Sequence, residues 1–205
     1  MLNSNDTWCG PTDMCLAPDG SMYLSDFHDQ RTAHPDPDAN WDLSTGRIYK
    51  IASTSVSSGQ MVDFGSLSSD QLADLLSHPN RWFVDRARVE LAGRGASEVA
   101  ERLRRSALQH DDGQLALDSL WALHGVAALD DPLILDLLEH PHPYVRYWAI
   151  RLVGDQKQAA PPVARRFAEL AAAEPSPVVR AQLACTAKRL PASTGLSLIH
   201  ISEPT

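Results

Sequence analysis

The feature that most constrains this chain is a short proline-bearing element that recurs three times along its C-terminal two-thirds. It reads His78-Pro79-Asn80-Arg81-Trp82-Phe83, then His140-Pro141-His142-Pro143-Tyr144-Val145-Arg146, then Glu174-Pro175-Ser176-Pro177-Val178-Val179-Arg180. Pro79 and Pro141 lie 62 residues apart, and Pro141 and Pro175 lie 34 apart. The longer gap holds two units of about 31 residues, inside the range of stacked helical repeats. The unit between the first two copies is the pair 96–110 and 112–129, whose caps differ.

Each copy has the same physical logic. A helix ends near the first proline, which cannot extend it. His142 and Ser176 then stand where a side-chain N-cap is wanted, with Pro143 and Pro177 at the first helical position, where the missing N–H costs nothing. Tyr144, Val145, Trp148, Ala149, Leu152 and Val153 fall at helical spacing and predict a buried stripe, and Val178, Val179, Gln182, Leu183 and Thr186 a weaker one. The pattern predicts helices over 69–77, 80–93, 96–109, 112–129, 131–139, 142–154, 160–173 and 176–189. These make four antiparallel pairs, and the Asp/Ser-x-x-Val-Arg helix starts resemble HEAT repeats. Such pairs bury a face only by stacking, so the array needs neighbours at both ends.

The first third is different in kind. Residues 1–66 carry nine Asp, no Glu and three basic residues, whereas 67–205 carry 17 acidic and 15 basic residues. Turn formers dominate the first part and helix formers the second. Thr12–Ala17 and Ser21–Phe27 predict two strands joined by the turn Pro18-Asp19-Gly20, in which Pro presets φ, Asp bonds the following backbone and Gly accepts a positive φ. Alternation puts Met22, Leu24 and Asp26 on one face of the second strand and Tyr23 and Ser25 on the other. A polar loop runs from His28 to Thr45, and 46–52 predicts a third strand. Three short strands leave faces and edges without partners, so they read as one unit of something larger.

Residues 17–27, Ala-Pro-Asp-Gly-Ser-Met-Tyr-Leu-Ser-Asp-Phe, and 46–51, Gly-Arg-Ile-Tyr-Lys-Ile, resemble the PDG-x-LY-V-x-D and GRIY-x-I segments of blades in quinoprotein sugar dehydrogenase-like β-propellers. With Asp29-Gln30-Arg31, His34 and 36–42 between them, the segment is similar to the planctomycete-type membrane-bound dehydrogenase branch of that group. Those long chains join a propeller, a HEAT-like region and a c-type haem domain. The resemblance covers residues 10–52 and continues into the helical part. It implies a mainly α fold: a HEAT-like α-solenoid of about four helix pairs preceded by a partial β-propeller blade. The domains are then 1–66, a C-terminal propeller remnant with linker; 67–195, the helical repeats; and 196–205, a tail. That tail, Leu-Ser-Leu-Ile-His-Ile-Ser-Glu-Pro-Thr, does not continue the repeat and resembles the translation of a transposase sequencing adapter. A chain that starts one blade before the end of a propeller implies that Met1 is an internal or artificial start, so the missing signal peptide does not inform on compartment; the resemblance implies an exported, periplasmic protein.

Few residue patterns carry chemistry. Asp36, Asp38, Asn40 and Asp42 alternate as oxygen ligands do in a calcium loop, but the sixth position is Trp41 and the twelfth Arg47, so an EF-hand is excluded. The competing reading is a solvated acidic loop ordered by Asx turns. His28 and His34 flank Asp29 and Arg31; in a quinoprotein-like funnel a His and an Arg act on a substrate hydroxyl, the imidazole as general base. These four are the candidate catalytic residues, against the alternative of incidental histidines on a surface loop. Cys9 and Cys15 could close a small disulfide loop in an exported protein or be two buried thiols, and Cys185 is expected in the core. His78, His140 and His142 are expected at helix ends, as caps or at the C-terminal dipole. Arg102, Arg104, Arg105, Arg165 and Arg166 are expected on solvated faces, and Trp82, Trp121, Tyr144, Tyr147 and Trp148 in inter-repeat core.

No Cys-x-x-Cys-His, Gly-rich phosphate loop, HExxH or G-x-S-x-G occurs. No cofactor is therefore evident in this chain; the resemblance implies haem c, with a quinone as a further candidate, in a longer parent. A net charge of -8 argues against nucleic acid, and no window approaches about 18 apolar residues, the length of a membrane span. The expected partners are the remaining blades, a C-terminal domain and a protein on the solenoid surface. Two functions remain open: a piece of a propeller–HEAT oxidoreductase, inactive by itself, and a non-enzymatic interaction scaffold.

Overall fold

The proline-led helix starts are realised in the computed structural model, which describes residues 5, 8–27, 45–54, 62–109, 111–192 and 195. The protein is mainly helical, with eight α-helices and a three-stranded antiparallel sheet among those residues. The chain divides into two compact units, Met1–Asp63 with His78–Phe83, and Phe64–Ser77 with Val84–Thr205.

In the first unit β1 (Pro11–Leu16), β2 (Met22–Asp26) and β3 (Arg47–Ile51) form a meander in the order β1-β2-β3. The proline–aspartate–glycine turn between β1 and β2 closes as its residues dictate. Gly20 takes φ of 76°, its N–H donates to the Ala17 carbonyl at 3.0 Å, and Asp19 Oδ1 accepts the Ser21 N–H at 2.9 Å. Met14, Leu24 and Tyr49 share one register row and Cys15, Tyr23 and Lys50 the next, so their side chains stand on opposite faces. Leu24 and Asp26 are buried and Met22 half-buried, as alternation requires, while Ile48 is 75% exposed on the Tyr23 face. The same unit takes in Asn80, whose side-chain amide donates to the Ala17 carbonyl at 3.0 Å.

The helices are α1 (Ser69–Asp74), α2 (Arg81–Arg94), α3 (Ala100–Gln109), α4 (Gly113–Gly125), α5 (Asp131–Leu137), α6 (Pro143–Asp155), α7 (Pro161–Ala173) and α8 (Pro177–Ala187). Six of these starts have an identifiable cause. Ser68 and Gln71 form a reciprocal capping box at α1. Asp112 and Asp130 cap α4 and α5 through their carboxylates. Proline occupies the first turn of α5, α6, α7 and α8. In the second unit α3, α5 and α7 neighbour one another in sequence order, as do α4, α6 and α8, and α3 lies against α4 and α7 against α8. Leu103, Leu120, Leu133, Leu137, Val145, Ile150, Phe167 and Val179 fill the space between these rows without solvent exposure beyond 2%.

Three expectations need correction. His142 and Ser176 occupy the N-cap positions of α6 and α8, but neither side chain makes a capping bond. Tyr144 is 49% exposed, and Ile150 is buried in its place, because α6 is covered by α4 on one side and α8 on the other. Cys185 is exposed: Val179, Gln182, Leu183, Thr186 and Ala187 form the buried stripe of α8, and position 185 lies on the far side of it.

Candidate functional site

The candidate catalytic residues His28, Asp29, Arg31 and His34, and the candidate metal ligands Asp36, Asp38, Asn40 and Asp42, lie outside the described residues.

The described residues on either side of that segment are tied together through side chains. Asp26, buried at the end of β2, accepts the Gly10 N–H on Oδ1 at 2.9 Å and the Tyr49 hydroxyl on Oδ2 at 3.3 Å. The Phe27 N–H closes the same corner on the Gly10 carbonyl at 2.9 Å, and a Cβ on residue 10 would stand 2.7 Å from the Phe27 oxygen, so only glycine fits there. Burial, and then the Asp26 carboxylate beside it, pushes the Tyr49 hydroxyl above the usual tyrosine range. On the other return, Arg47 Nη1 donates to the Thr45 carbonyl at 2.7 Å. Asp19 is held well below the usual aspartate range by the Lys50 ammonium at 2.7 Å and by both donors of Ser21. Lys50 thereby ties the first turn to β3. Cys9 is half-buried and Cys15 exposed, both as free thiols, so neither the disulfide nor the pair of buried thiols is what this unit contains. The face of Asp13, Cys15, Tyr23, Ser25 and Ile48 carries an apolar groove of about 320 Å³, which the intervening Met14 of β1 also borders.

In the helical unit the recurring proline element proves to be a hydrogen-bonded turn. The residue before the proline accepts, on its side chain, the N–H of the residue after it. His140 Nδ1 accepts from His142 N at 3.0 Å, and Glu174 Oε1 accepts from Ser176 N at 2.9 Å. The first copy, in the other unit, does the same: His78 Nδ1 accepts from Asn80 N at 3.0 Å. The arginine that ends the element then folds back on its own turn. Arg146 Nη1 donates to the carbonyls of His140 and Pro141 at 2.7 and 3.2 Å, and Arg180 Nη1 to those of Glu174 and Pro175 at 2.9 Å each. Arg146 also reaches the next turn, its Nε and Nη2 meeting Glu174 Oε2 and Oε1 at 2.9 and 2.6 Å. The side chains of this pair are only 12% and 1% exposed. Burial would raise the Glu174 carboxyl; the Arg146 fork, the Ser176 N–H and the Arg146 and Arg180 charges outweigh it and hold the group below the glutamate range. His140 is buried, and that burial, with the His142 ring and the Arg146 guanidinium beside it, lowers its pKa.

A second arrangement crosses α2, α4 and α6. The Arg88 guanidinium lies 4.9 Å from the Trp121 ring centre, Trp121 meets Trp148 edge-on at 5.1 Å, and the Arg151 guanidinium lies 5.0 Å from Trp148. Tyr147, Tyr144 and His142 continue the row at 6.0, 6.4 and 5.9 Å between successive rings. Trp121, Tyr147 and Trp148 are half-exposed and Tyr144 exposed, so these rings are a partly open ladder and not the closed core expected of them. Both guanidiniums are already matched: Arg88 with Asp85 and Asp118, Arg151 with Asp155. Of the arginines expected on solvated faces, Arg105 and Arg165 are exposed, and the other three are accessible but charge-matched. Arg102 bridges to Asp70 and Asp74, Arg104 to Asp130 and Arg166 to Glu139. The unpartnered Ser119 hydroxyl lines a cavity of about 100 Å³ of mixed character, with Asp74, Ser77 and Arg102 on its polar side and Leu76, Leu103 and Leu115 on its apolar side.

Among the described residues, no group of three or more His, Cys, Asp or Glu side chains could hold a metal ion, and no helix is long and apolar enough to cross a membrane. No curated protein and no solved structure matches the chain. A family model described as a domain of unknown function, DUF7133, matches residues 1–55, the segment that contains all three strands.

Proposed function

We propose that this chain is a binding module of a propeller–HEAT protein: a β-propeller blade with its linker, followed by a HEAT-like α-solenoid that holds a protein partner and performs no turnover itself. The observation that carries this reading is the ladder Arg88–Trp121–Trp148–Arg151 with Tyr147 and Tyr144, half-open rings and charge-matched guanidiniums set across three helices. Tryptophan, tyrosine and arginine are the residues in which binding energy concentrates at protein interfaces. Rings held by one another and by arginines lose little rotamer freedom on binding.

The test is retention. The chain and its Trp148→Ala and Tyr147→Ala variants are immobilised and exposed to extract of the source cell. The reading expects one defined protein retained by the parent chain, weakened at least about tenfold (about 1.4 kcal/mol) by each truncation, with unchanged circular dichroism. Equal retention by parent and variants contradicts it.

A second reading concerns the protein of which such a chain would be part. Residues 17–27 and 46–51, which carry the likeness to quinoprotein dehydrogenase blades, fall inside the 1–55 match. On that reading His28, Asp29, Arg31 and His34 act on a substrate hydroxyl and Asp36, Asp38, Asn40 and Asp42 hold a cation in an exported oxidoreductase. Its haem c would be carried outside this chain, which lacks the attachment motif. Sugar oxidation by the 205-residue chain with an added quinone would displace the module reading in favour of this one.

A further inference from the structure

The two arginines that lock the proline turns are equivalent on their inner edge and different on their outer edge. Arg146 and Arg180 each place Nη1 on the carbonyls six and five residues before them. Arg146 then spends Nε and Nη2 on Glu174, the residue that opens the next turn. Among the described residues no carboxylate meets the corresponding edge of Arg180, and both Glu174 oxygens are taken by Arg146. Arg180 is exposed, yet its guanidinium is fixed by two carbonyl bonds, so its fork is oriented before anything binds.

The helix surface beside it repeats this contrast. A step of 34 residues carries His140 onto Glu174 and therefore Tyr147 onto Ala181 and Ile150 onto Ala184. Ile150 is 0% exposed, with the Thr186 hydroxyl of α8 reaching its carbonyl at 3.3 Å, whereas Ala181 and Ala184 are exposed. At the C-terminal end the step carries Gly154, which touches Thr186, onto the exposed Lys188, so close approach is confined to the first two turns of α8.

We propose that Arg180 and the first two turns of α8 form a docking face for a further helical hairpin whose inter-helix turn opens with a carboxylate followed by proline. Charge complementarity and continuity with the α6–α8 interface specify that occupant: the step that sets Glu174 on Arg146 sets an acidic residue on Arg180. The proposal rests on the helical-repeat part of the reading above.

The experiment inserts a second copy of residues 157–190 after Leu190 of the full chain, so that the copied Glu174 follows Arg180 at the native spacing. The expected result is one cooperative transition with Tm several degrees above that of the parent chain. Glu174→Gln in the copy, or Arg180→Gln in the original, removes the gain. As a second readout, Ala184→Cys of the original repeat, in a background with Cys9, Cys15 and both Cys185 changed to Ser, reacts with a thiol reagent at least tenfold more slowly in the duplicated chain than in the parent. A separate low transition, an unchanged Tm, a gain indifferent to the copied glutamate, or unslowed thiol reaction each overturns the proposal. A failed repeat reading is told apart by the undoubled chain, in which Glu174→Gln would then leave Tm unchanged.

Discussion

Removing the Glu174 carboxylate is the perturbation whose cost the geometry sets most tightly. In Glu174→Ala the Arg146 guanidinium keeps the His140 and Pro141 carbonyls but loses both oxygens opposite Nε and Nη2, in a site where its side chain is 12% exposed. The Ser176 N–H loses its acceptor at the same time. Breaking a buried ion pair from one side costs about 3–5 kcal/mol. For a chain of this size that is a fall of roughly 6–20 °C in Tm. The pH dependence has a defined sign. The folded carboxyl titrates below its ordinary value of 4.5, so its stabilisation is present above that pH and is lost as pH falls through the depressed folded value. Denaturant unfolding of parent and variant at pH 7 and at pH 3 measures both. The difference is expected to be large at pH 7 and smaller at pH 3. A loss at pH 7 below about 1 kcal/mol, the range of exposed pairs, would refute the argument that this pair is buried and joins successive turns. The double replacement Arg146→Met with Glu174→Leu should be less damaging than either single change, since it leaves no uncompensated charge.

Other consequences follow from the same turns. His140 has a lowered pKa, so its neutral form is favoured in the folded state; stability present above about pH 6.5 should fall as pH drops through the folded value, and His140→Asn should flatten that slope in urea titrations between pH 7.5 and 5. Gly154→Val should cost about 1–3 kcal/mol by chemical unfolding, since even a bare Cβ would stand 2.8 Å from Thr186 Oγ1 where α6 meets α8. A neutral result there would mean that the two helices are farther apart than described.

Much of the architecture was legible because its causes are local. Proline in a first helical turn, a Ser68–Gln71 box and apolar residues every three to four positions act within one helix, and the eight helices fall within a few residues of where those signals put them. What the sequence could not supply was direction and partner. His142 and Ser176 hold the residue types and positions of side-chain caps, but the acceptors are His140 and Glu174, two residues earlier, because proline between them bends the chain back. Arg102 and Arg104 are solvent-accessible as their helix positions imply, but their partners, Asp74 and Asp130, lie 28 and 26 residues away on other elements and are not legible from those positions. The ring ladder was read as core because aromatic spacing on α6 cannot tell which flank α4 and α8 leave open. Cys185 could have been placed by counting turns from Val179 and Leu183. Residues 28–42 offer residue types without periodicity, and they lie outside the described residues.

The two proline turns that precede α6 and α8, each closed by a side chain across the proline and locked by an arginine, join successive helices of the second unit. Amide hydrogen exchange of His142 and Ser176 tests this most directly. Each N–H is bonded to the side chain two residues before it and sits beside a carbonyl pair held by arginine. Both are expected to exchange as slowly as the interior amides of α6 and α8, with Arg146→Gln speeding His142 and Glu174→Ala speeding Ser176. Exchange of both amides at the rate of an open loop, unaffected by either substitution, would contradict this.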